Sequence, residues 1–469
     1  YVSQISAKDL KTKKYLKDLS VPGMTIGKTG LERKLDKDII GKVGFQRYEV
    51  NAFGKRIKEI QINEGQAGKS FKTTLDYEVQ KYTNELLKDK AAAVCVMDIF
   101  NGDIVSLVSA PTFEPNAFVH GLDKNYWNSL INDGKKPLTN KVMSGLYPPG
   151  STIKTIVALS ALENNVIKPS DNFRCKGKIE LHGEKFHCWE KKGHGVVNLR
   201  KGIQRSCDVY FYEIARKLGV DRLSETAKKF GLGKKVLADF IEEKSGVVPN
   251  TKWKKKFIGQ NWYIGETLHS GIGQGYFLST PIQLCLMTAQ IANGGFEIKP
   301  QILFKNDNNN LENYIKYKKE NPDKPLSINL AVSNFNLKPL FKDQKNINLV
   351  KDAMFSSSNE PGGTSYRHRM ENPKFTFAGK TGSSQIKRFT EAQREAEVKQ
   401  TDLNYKDRDH ALFIAFAPYK DPKYAVSVVV EHGGSGGSAA APIAKKVIKK
   451  VIERDRLRKK INYSEKGTV

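Results

Sequence analysis

Long hydrophobic runs are missing from this chain of 469 residues. The longest stretch without a charged side chain, 269–296, is interrupted by five glycines and a proline and is rich in Ser, Thr and Gln. It is therefore not expected to span a bilayer, which requires about 20 predominantly apolar residues. The N-terminus has no signal-peptide pattern and begins at Tyr1 rather than at Met. The sequence thus predicts a globular chain and leaves open an N-terminal anchor that the chain does not include.

Signals of nucleic-acid binding are also lacking, although the formal net charge is +28. The 78 Lys and Arg residues outnumber the 50 Asp and Glu residues, but they are scattered rather than gathered in a segment with stacking aromatics. The sequence has no zinc-finger spacing and no helix-turn-helix signal. We therefore predict no nucleic-acid partner and interpret the excess charge as a solubilising surface with a loose preference for acidic partners.

Cysteine is scarce, with five residues in the chain. Cys95 lies in an apolar strand-like run and Cys285 in an apolar helical pattern, and both are typical of small buried hydrophobic side chains. The other three, Cys175, Cys188 and Cys207, fall close together in the sequence. This clustering leaves open a disulfide, a metal site or three unconnected thiols.

The chain divides into a polar N-terminal part and a compact second part. Residues 1–88 contain two strand patterns around a hairpin signal at 51–54, but too little apolar sequence for an enzymatic core. We predict a small, elongated, non-catalytic module there. Residues 89–458 carry two apolar strands, joined at an Asn-Gly hairpin signal at 101–102, before a run of helices and three strands after it. One helix of this run begins with a capping signal at 280–283. This order predicts an α+β domain with an antiparallel sheet between helical layers. Residues 459–469 are predicted to be a flexible basic tail.

Two polar segments interrupt the second part. Residues 305–325 are rich in Asn and Lys and predict a solvated surface insertion. Residues 387–409 are dense in charged side chains and predict a mobile loop.

A serine opens an apolar helical pattern after the segment 147–150, Tyr-Pro-Pro-Gly. Because positions i and i+3 share a helix face, Ser151 and Lys154 are expected to lie side by side. A lysine that loses its proton, through burial or a second cation, could act as base for the serine hydroxyl. The Ser-x-x-Lys pattern alone is common, since an N-cap serine with a surface lysine also produces it.

Two later motifs supply partners for this pair. Ser206 and Asp208 lie in a turn between two predicted helices, and a Lys-Thr-Gly motif begins at Lys380 on a strand. The latter is not a phosphate-binding P-loop, because Lys374 occupies a position where that motif requires glycine. The three motif types, in this order, occur in class A β-lactamases and penicillin-binding proteins.

The chemistry of such a site is acyl transfer. Ser151 would attack a carbonyl and form an acyl-enzyme, with Lys154 as base, while a second lysine lowers the pKa of the first and attracts the substrate carboxylate. Two lysines in one cleft should leave one of them largely neutral near pH 7. The predicted catalytic residues are Ser151, Lys154, Ser206, Asp208, Lys380, Thr381 and Gly382. The predicted oxyanion hole consists of the backbone N–H groups of Ser151 and Ser383, and the hydroxyls of Thr381 and Ser383 are predicted to bind the substrate carboxylate.

The chain resembles class B penicillin-binding proteins, the D,D-transpeptidases that cross-link peptidoglycan, and is most similar to their elongation branch, penicillin-binding protein 2. Besides the three motifs, the resemblance rests on the segments 193–195, 271–276, 280–283 and 413–418, and on 30–32 in the N-terminal module, which is typical of a pedestal. The wider family usually has Asn where this chain has Asp208, so the hydrogen-bond role of that residue is open.

The resemblance implies a single-pass anchor in the bacterial inner membrane, absent from this chain, and a catalytic domain in the periplasm. It implies a stem-peptide substrate ending in D-Ala-D-Ala, acylation by β-lactam antibiotics, and partners such as a RodA-like glycan polymerase and an MreC-like scaffold. No glycosyltransferase domain is evident. A serine β-lactamase or a β-lactam-sensing receptor would share the motifs; the length and the N-terminal module argue against the first, and a receptor should lack a pedestal.

A structural zinc site is predicted from Cys175, Cys188, His194 and Cys207, because zinc is commonly held by a tetrahedral Cys₃His set. Three of them lie in residues 166–196, which are predicted to be irregular and to lack a core of their own, and a metal at Cys207 would fix the second motif. The resemblance adds that some elongation-type relatives place a metal with the same loop. The spacing is wider than in a zinc finger, so a Cys175–Cys188 disulfide or unconnected thiols remain open. The reserve ligands are His182 and His187.

Overall fold

The computed structural model describes residues 1–16, 23–119, 121–304, 310–324, 328–387, 390, 393, 396 and 398–464. The chain forms two compact units. The first consists of Tyr1–Thr73, Thr112–Leu138 and Ala238–Glu242, and the second of Thr74–Pro111, Thr139–Leu237 and Glu243–Val469. Among the described residues, no helix is both long enough and apolar enough to cross a membrane.

Short strands and helices alternate along the chain. The strands are β1 (Val2–Gln4), β2 (Thr25–Gly27), β3 (Phe45–Val50), β4 (Arg56–Asn63), β5 (Ala92–Asp98), β6 (Ile104–Ala110), β7 (Phe173–Cys175), β8 (Lys178–Leu181), β9 (Glu184–His187), β10 (Gly195–Val197), β11 (Ala378–Ser384), β12 (His410–Ala417) and β13 (Tyr424–Val430). The helices are α1 (Ala7–Thr12), α2 (Gly30–Ile39), α3 (Tyr77–Leu86), α4 (Lys124–Asn132), α5 (Lys141–Ser144), α6 (Lys154–Glu163), α7 (Leu199–Gln204), α8 (Asp208–Leu218), α9 (Val220–Lys229), α10 (Thr251–Phe257), α11 (Ile264–Gly271), α12 (Pro281–Ala292), α13 (Asn310–Glu320), α14 (Ile328–Phe335), α15 (Gln344–Asn359) and α16 (Ala441–Ser464).

A buried carboxylate organises the first unit, which has few buried apolar side chains. Asp36 on α2 accepts hydrogen bonds from the backbone N–H of Gly27 at 2.8 Å and from Lys13 Nζ at 2.8 Å. Strands β1 and β2 pair next to this helix, and β3 and β4 form a separate antiparallel hairpin. Polar contacts thus stabilise much of this unit, as its composition predicted.

An antiparallel sheet of five strands, in the order β11-β12-β13-β5-β6, is the centre of the second unit. It confirms the prediction that strands from both ends of the domain share one sheet. The seven residues of β13 are all buried, because both faces of the sheet are covered. The hydrophobic core of the sheet includes Val447 and Val451 from α16 and Val79 from α3. Helix α12 contacts the sheet through Pro281 O, which accepts a hydrogen bond from Ser427 Oγ at 2.7 Å.

Helix α12 begins where the capping signal predicted. The Thr280 side chain accepts from the Gln283 N–H, the Gln283 side chain accepts from the Thr280 N–H, and Pro281 occupies the first helical position. All twelve residues of α12 are buried. This helix therefore provides a rigid layer under the sheet.

Several polar segments have more structure than their sequences indicated. Residues 166–196, predicted to be irregular, contain the ribbons β7–β10 and β8–β9. The described part of the predicted insertion 305–325 contains α13, which buries Tyr314 against Phe296 with ring centroids 5.6 Å apart. Helix α16 extends to Ser464, and residues 465–469 of the predicted tail lie outside the described residues. Parts of the predicted loop 387–409 also lie outside them.

Candidate active site

A cavity of about 1310 Å³ lies in the second unit and brings the three sequence motifs together. Its lining includes Ser151, Ser206, Asp208, Thr381, Gly382 and Ser383. It also includes the segments 183–189, 362–367 and 435–437, in part or whole, which the sequence did not assign to the site. The two motif lysines, Lys154 and Lys380, are completely buried behind this lining.

The predicted nucleophile lies on a tight turn rather than inside the helix. Residues Gly150–Ile153 form a 3₁₀ turn, and α6 begins at Lys154, whose N–H donates to Ser151 O. Gly150 has φ +53°, and a Cβ there would lie 2.4 Å from Ser383 O, so only glycine fits without a backbone shift. The Gly150 N–H also donates to Gly273 O at 2.9 Å. Close backbone packing therefore fixes Ser151 beside β11.

The side chain of Ser206 lies between the two buried lysines. Lys154 Nζ donates to Ser206 Oγ at 3.3 Å and to Ser206 O at 3.0 Å. Lys380 Nζ donates to Ser206 Oγ at 2.8 Å and to Thr381 O at 3.0 Å. Ser206 has φ +54°, a left-handed conformation that is strained for a residue other than glycine. The turn between α7 and α8 thus has a strained backbone at Ser206, whose hydroxyl links Lys154 and Lys380.

Asp208 uses both carboxylate oxygens as acceptors. Oδ1 accepts from Lys154 Nζ at 2.7 Å, and Oδ2 accepts from the Trp189 N–H at 2.9 Å. Burial raises the pKa of Asp208, and the charge of Lys154 opposes that shift. An asparagine has one acceptor oxygen and could not accept both bonds in the same way. The residue that departs from the usual family motif therefore pairs directly with a catalytic lysine.

Lys380 is completely buried close to the charge of Lys154. Burial, followed by the nearby charge of Lys154, lowers the pKa of Lys380 well below its usual value. From the sequence we expected Lys380 to lower the pKa of Lys154. In the structure Lys154 is ion-paired with Asp208 at 2.7 Å, and the lysine whose pKa is lowered is Lys380.

Strand β11 places the third motif along the cavity. A Cβ on Gly382 would lie 2.9 Å from Thr152 Cγ2 and 3.2 Å from Pro149 O, which explains the glycine. Ser383 O accepts from Gln274 Nε2 at 3.0 Å. The nucleophile turn, the 273–274 loop and β11 therefore form one hydrogen-bonded unit.

Thr364 is a site residue that sequence reasoning missed. Its Oγ1 lies 2.7 Å from Thr381 Oγ1, and its N–H donates to Gln204 O at 3.3 Å. The only local signal is a Gly-Gly-Thr turn after α15, which is too common to assign a function. Arg200 on α7 makes a bidentate pair with Glu360 at 2.7 and 2.6 Å, directly before this turn. Because of these contacts, α7 and the 361–365 turn position the second and third motifs together.

The four predicted metal ligands converge next to the second motif. The ligand atoms of Cys175, Cys188, His194 and Cys207 all lie within 4.8 Å of one another. His194 Nδ1 is 3.5 Å from Cys188 Sγ and 3.8 Å from Cys175 Sγ. All described cysteines are free thiols, and the reserve ligands His182 and His187 do not belong to this cluster.

Comparison with known families decides the assignment. The family described as the penicillin binding protein transpeptidase domain matches residues 92–449, and the penicillin-binding protein dimerisation domain matches residues 1–73. The chain belongs to the penicillin-binding protein transpeptidase family. These matches confirm the resemblance to class B penicillin-binding proteins.

Curated relatives cover nearly the whole of this penicillin-binding protein. Peptidoglycan D,D-transpeptidase MrdA of Salmonella typhimurium is 36% identical over 96% of this chain and 70% of the relative. MrdA of Escherichia coli K12 is 34% identical over 93% of this chain and 66% of the relative. The chain thus spans about two thirds of the length of these relatives. They confirm the predicted enzyme class, a serine-type D-Ala-D-Ala transpeptidase, over the β-lactamase and receptor alternatives.

Solved structures confirm the fold class. Penicillin-binding protein 2 in its complex with MreC from Helicobacter pylori has a TM-score of 0.80 and 33% identity, over 97% of this chain and 76% of that chain. Pseudomonas aeruginosa penicillin-binding protein 2 in complex with WCK 5153 has a TM-score of 0.75 and 33% identity, over 96% of this chain and 86% of that chain. A chain of a peptidoglycan synthase complex that coordinates polymerization and crosslinking matches with a TM-score of 0.74 and 26% identity, over 96% of this chain and 73% of that chain.

Proposed function

We propose that the protein cross-links peptidoglycan stem peptides through an acyl-enzyme on Ser151. The observation that carries this proposal is the Ser206 hydroxyl, hydrogen-bonded to both Lys154 and Lys380 at the wall of the cavity that Ser151 lines. This arrangement provides a nucleophile, a proton acceptor and a path for the proton in one site.

In the first half-reaction, Ser151 Oγ attacks the carbonyl carbon of the penultimate D-Ala. A C–O ester bond forms, the C–N bond to the terminal D-Ala breaks, and the serine proton passes through the site to the leaving amine. Lys154 accepts that proton after passing its own through Ser206 to Lys380, whose lowered pKa provides a neutral acceptor. The N–H groups of Ser151 and Ser383 stabilise the developing oxyanion, and Thr381 and Ser383 bind the substrate carboxylate.

In the second half-reaction, an amine of another stem peptide attacks the ester. The new C–N bond forms the cross-link, the C–O bond breaks, and Ser151 recovers its proton. β-Lactam antibiotics acylate the same serine, and Gly382 allows either ligand to approach the backbone of β11.

Labelling with a fluorescent penicillin tests the nucleophile. The wild-type protein should be labelled and Ser151→Ala should not, whereas Ser245→Ala, which removes an exposed hydroxyl, should be labelled like the wild type. Labelling of Ser151→Ala at another residue would contradict the assignment. Slow release of the label supports a transpeptidase, and rapid turnover would identify a β-lactamase.

A structural zinc ion is the second part of the proposal, supported by the convergence of Cys175, Cys188, His194 and Cys207. The thiolate is the form in which a cysteine binds metal. Three sulfurs and one imidazole nitrogen suit zinc. When bound, the ion would supply a cross-link that fixes Cys207, and thereby Ser206 and Asp208, relative to the β7–β10 ribbon.

Metal analysis of the purified protein tests the zinc site. We expect about one zinc per chain in the wild type and in Cys285→Ser, and a loss of zinc with a lower melting temperature in Cys175→Ser. Cys285 is a suitable control because it is equally buried but lies outside the cluster. Absence of metal together with a mass two daltons low would establish a Cys175–Cys188 disulfide instead.

The partners follow from the relatives. The complex of penicillin-binding protein 2 with MreC and the synthase complex that coordinates polymerization and crosslinking support an MreC-like scaffold and a RodA-like glycan polymerase for this protein. We place the protein at the periplasmic face of the bacterial inner membrane, held by an N-terminal anchor outside this chain. Cross-linking of newly polymerised glycan by the anchored protein with its polymerase, and its failure with Ser151→Ala, tests this assembly.

A further inference from the structure

A cluster of solvent-facing aromatic rings lies beside the catalytic cavity and has no part in the chemistry above. Its members are Trp253 and Phe257 on α10, Tyr263 before α11, and Tyr276 after it, and we call these four residues the aromatic platform. Phe257 and Tyr263 are each 64% exposed, and Tyr276 is 36% exposed. Clustered exposed aromatics on a soluble domain commonly mark a binding surface.

The platform is held rigidly in place. The Trp253 ring lies 5.4 Å from the Tyr276 ring and 6.0 Å from the Phe257 ring, measured between centroids. Lys254 is buried among them, with Nζ 4.6 Å from the Tyr263 ring centroid. Glu266 pairs with this lysine and also accepts the Tyr263 N–H at 2.8 Å. The rings are therefore pre-organised before a ligand arrives, which reduces the entropy lost on binding.

The platform is continuous with the cavity. Gln274, which lines the cavity and bonds to Ser383 O, is two residues from Tyr276. On the other side, Phe186 also lines the cavity and packs against His269 on α11, with ring centroids 5.4 Å apart. A polymer whose side branch enters the cavity would therefore run across these rings.

We propose that the aromatic platform binds the glycan strand of peptidoglycan, a polymer of N-acetylated sugars, while its stem peptide occupies the cavity. This inference rests on the proposed function. A stem peptide of a few residues spans only about 15 Å, so its sugar backbone must pass close to the cavity. The C–H face of a pyranose ring complements the electron-rich face of an aromatic ring.

Charge also favours this occupant. Three exposed lysines on α10, Lys252, Lys255 and Lys256, surround the rings, and the helix carries no acidic side chain. Stem peptides branch from both sides of the glycan strand and bear free carboxylates. The lysines beside the sugar-binding rings complement the negative charge of these peptides.

Binding of end-labelled glycan strands, from which the peptides have been removed by an amidase, tests the platform. We expect the double variant Phe257→Ser, Tyr263→Ser to bind these strands roughly tenfold more weakly than the wild type, because two stacking contacts are lost. Tyr77→Ser is the matched control, since Tyr77 is 72% exposed in the same unit but lies on α3, outside the platform. It should bind like the wild type.

Further measurements separate this inference from the proposed function. All three proteins should be acylated by fluorescent penicillin at the same rate, and the double variant should raise KM for glycan-linked substrate without changing kcat for a short stem peptide. Equal glycan binding by the double variant and the wild type would overturn the platform while leaving the acyl-enzyme intact. Ring-dependent binding to vesicles of anionic phospholipid, without binding to glycan, would overturn it in favour of a membrane contact.

Discussion

Two β hairpins with similar sequence signals have opposite environments in this protein. In β5–β6 of the second unit, six of the seven residues of β5 are buried. In β3–β4 of the first unit, all eight residues of β4 are exposed. Turn residues predicted both hairpins, since they determine where the chain reverses. Whether the paired strands become part of a core depends instead on the neighbouring elements, which the turn does not encode.

The exposed hairpin is stabilised by its own side chains. The Arg56 guanidinium lies 4.2 Å from the centroid of the Tyr48 ring, and Arg47 lies 5.2 Å from that of Phe45. Its apolar residues are left in solvent, and Ile57 and Ile60 are each 63% exposed. The buried hairpin is instead covered on both faces by neighbouring elements. The two regions should therefore respond very differently to substitution.

The largest effect is expected at Lys154, which is buried behind the cavity lining of the second unit. Lys154→Ala should reduce the rate of acylation by penicillin by about three orders of magnitude or more, because the proton acceptor is lost. Lys351→Met is the control, since Lys351 is a half-buried lysine of the second unit whose Nζ donates to Ala292 O, outside the three motifs. Stopped-flow acylation, with melting curves to check folding, measures both. Near wild-type acylation by Lys154→Ala would require another base.

The next effect concerns the stability of the buried sheet itself. Phe413 on β12 is completely buried and its ring centroid lies 5.9 Å from that of Phe377. Phe413→Ala should lower the free energy of unfolding by about 3–5 kcal/mol through lost burial and a cavity. Urea denaturation measures this change. A loss below about 1 kcal/mol would mean that the sheet is not the core on which the second unit depends.

A smaller effect is expected at the edge of the cavity, where two adjacent residues have opposite pH dependences. Burial raises the pKa of Asp409 to about 6, so between about pH 4 and 6 the folded state keeps a proton that the unfolded state has lost, and stability falls as pH rises. Burial, and next the charge of His432, lowers the pKa of His410 to about 4. Between about pH 4 and 6.5 the unfolded state keeps the proton, so stability rises with pH.

Single substitutions should separate these two contributions. Asp409→Asn should make the melting temperature rise more steeply with pH, from 4 to 6.5, than that of the wild type, because only the His410 contribution of the pair remains. His410→Asn, which can still accept the backbone N–H of His432, should shift the slope in the opposite direction between pH 4 and 6. Melting curves across this range measure both, with the wild type between them. The same slope in both variants would disprove the opposing assignment.

The smallest effect is expected in the exposed hairpin. Ile57→Thr keeps a β-branched side chain and removes only exposed apolar atoms, so it should change the free energy of unfolding by less than about 0.5 kcal/mol. Denaturation of the same protein preparation provides the measurement. A loss of more than about 2 kcal/mol would show that this face is covered in solution, and the contrast between the hairpins would then be lost.

The sequence predicted those parts of the site that have local signals. Ser151, Ser206 and Lys380 could be found because each belongs to a short motif at a helix start, an inter-helix turn or a strand. Thr364 could not, because only the packing of α15 beside β11 brings it to the third motif. The ribbons β7–β10 and β8–β9 were missed because strands of three or four residues are too short to show a period of two.

The position of Ser206 has a consequence for the direction of hydrogen bonding. A hydroxyl oxygen has two lone pairs and one hydrogen. When both ammonium groups donate to it, both lone pairs are occupied and the hydrogen is left to point toward the cavity. When Lys380 is neutral, its own lone pair can accept that hydrogen, and the hydroxyl turns away from the substrate. The orientation of the Ser206 hydroxyl therefore depends on how many protons the two lysines carry.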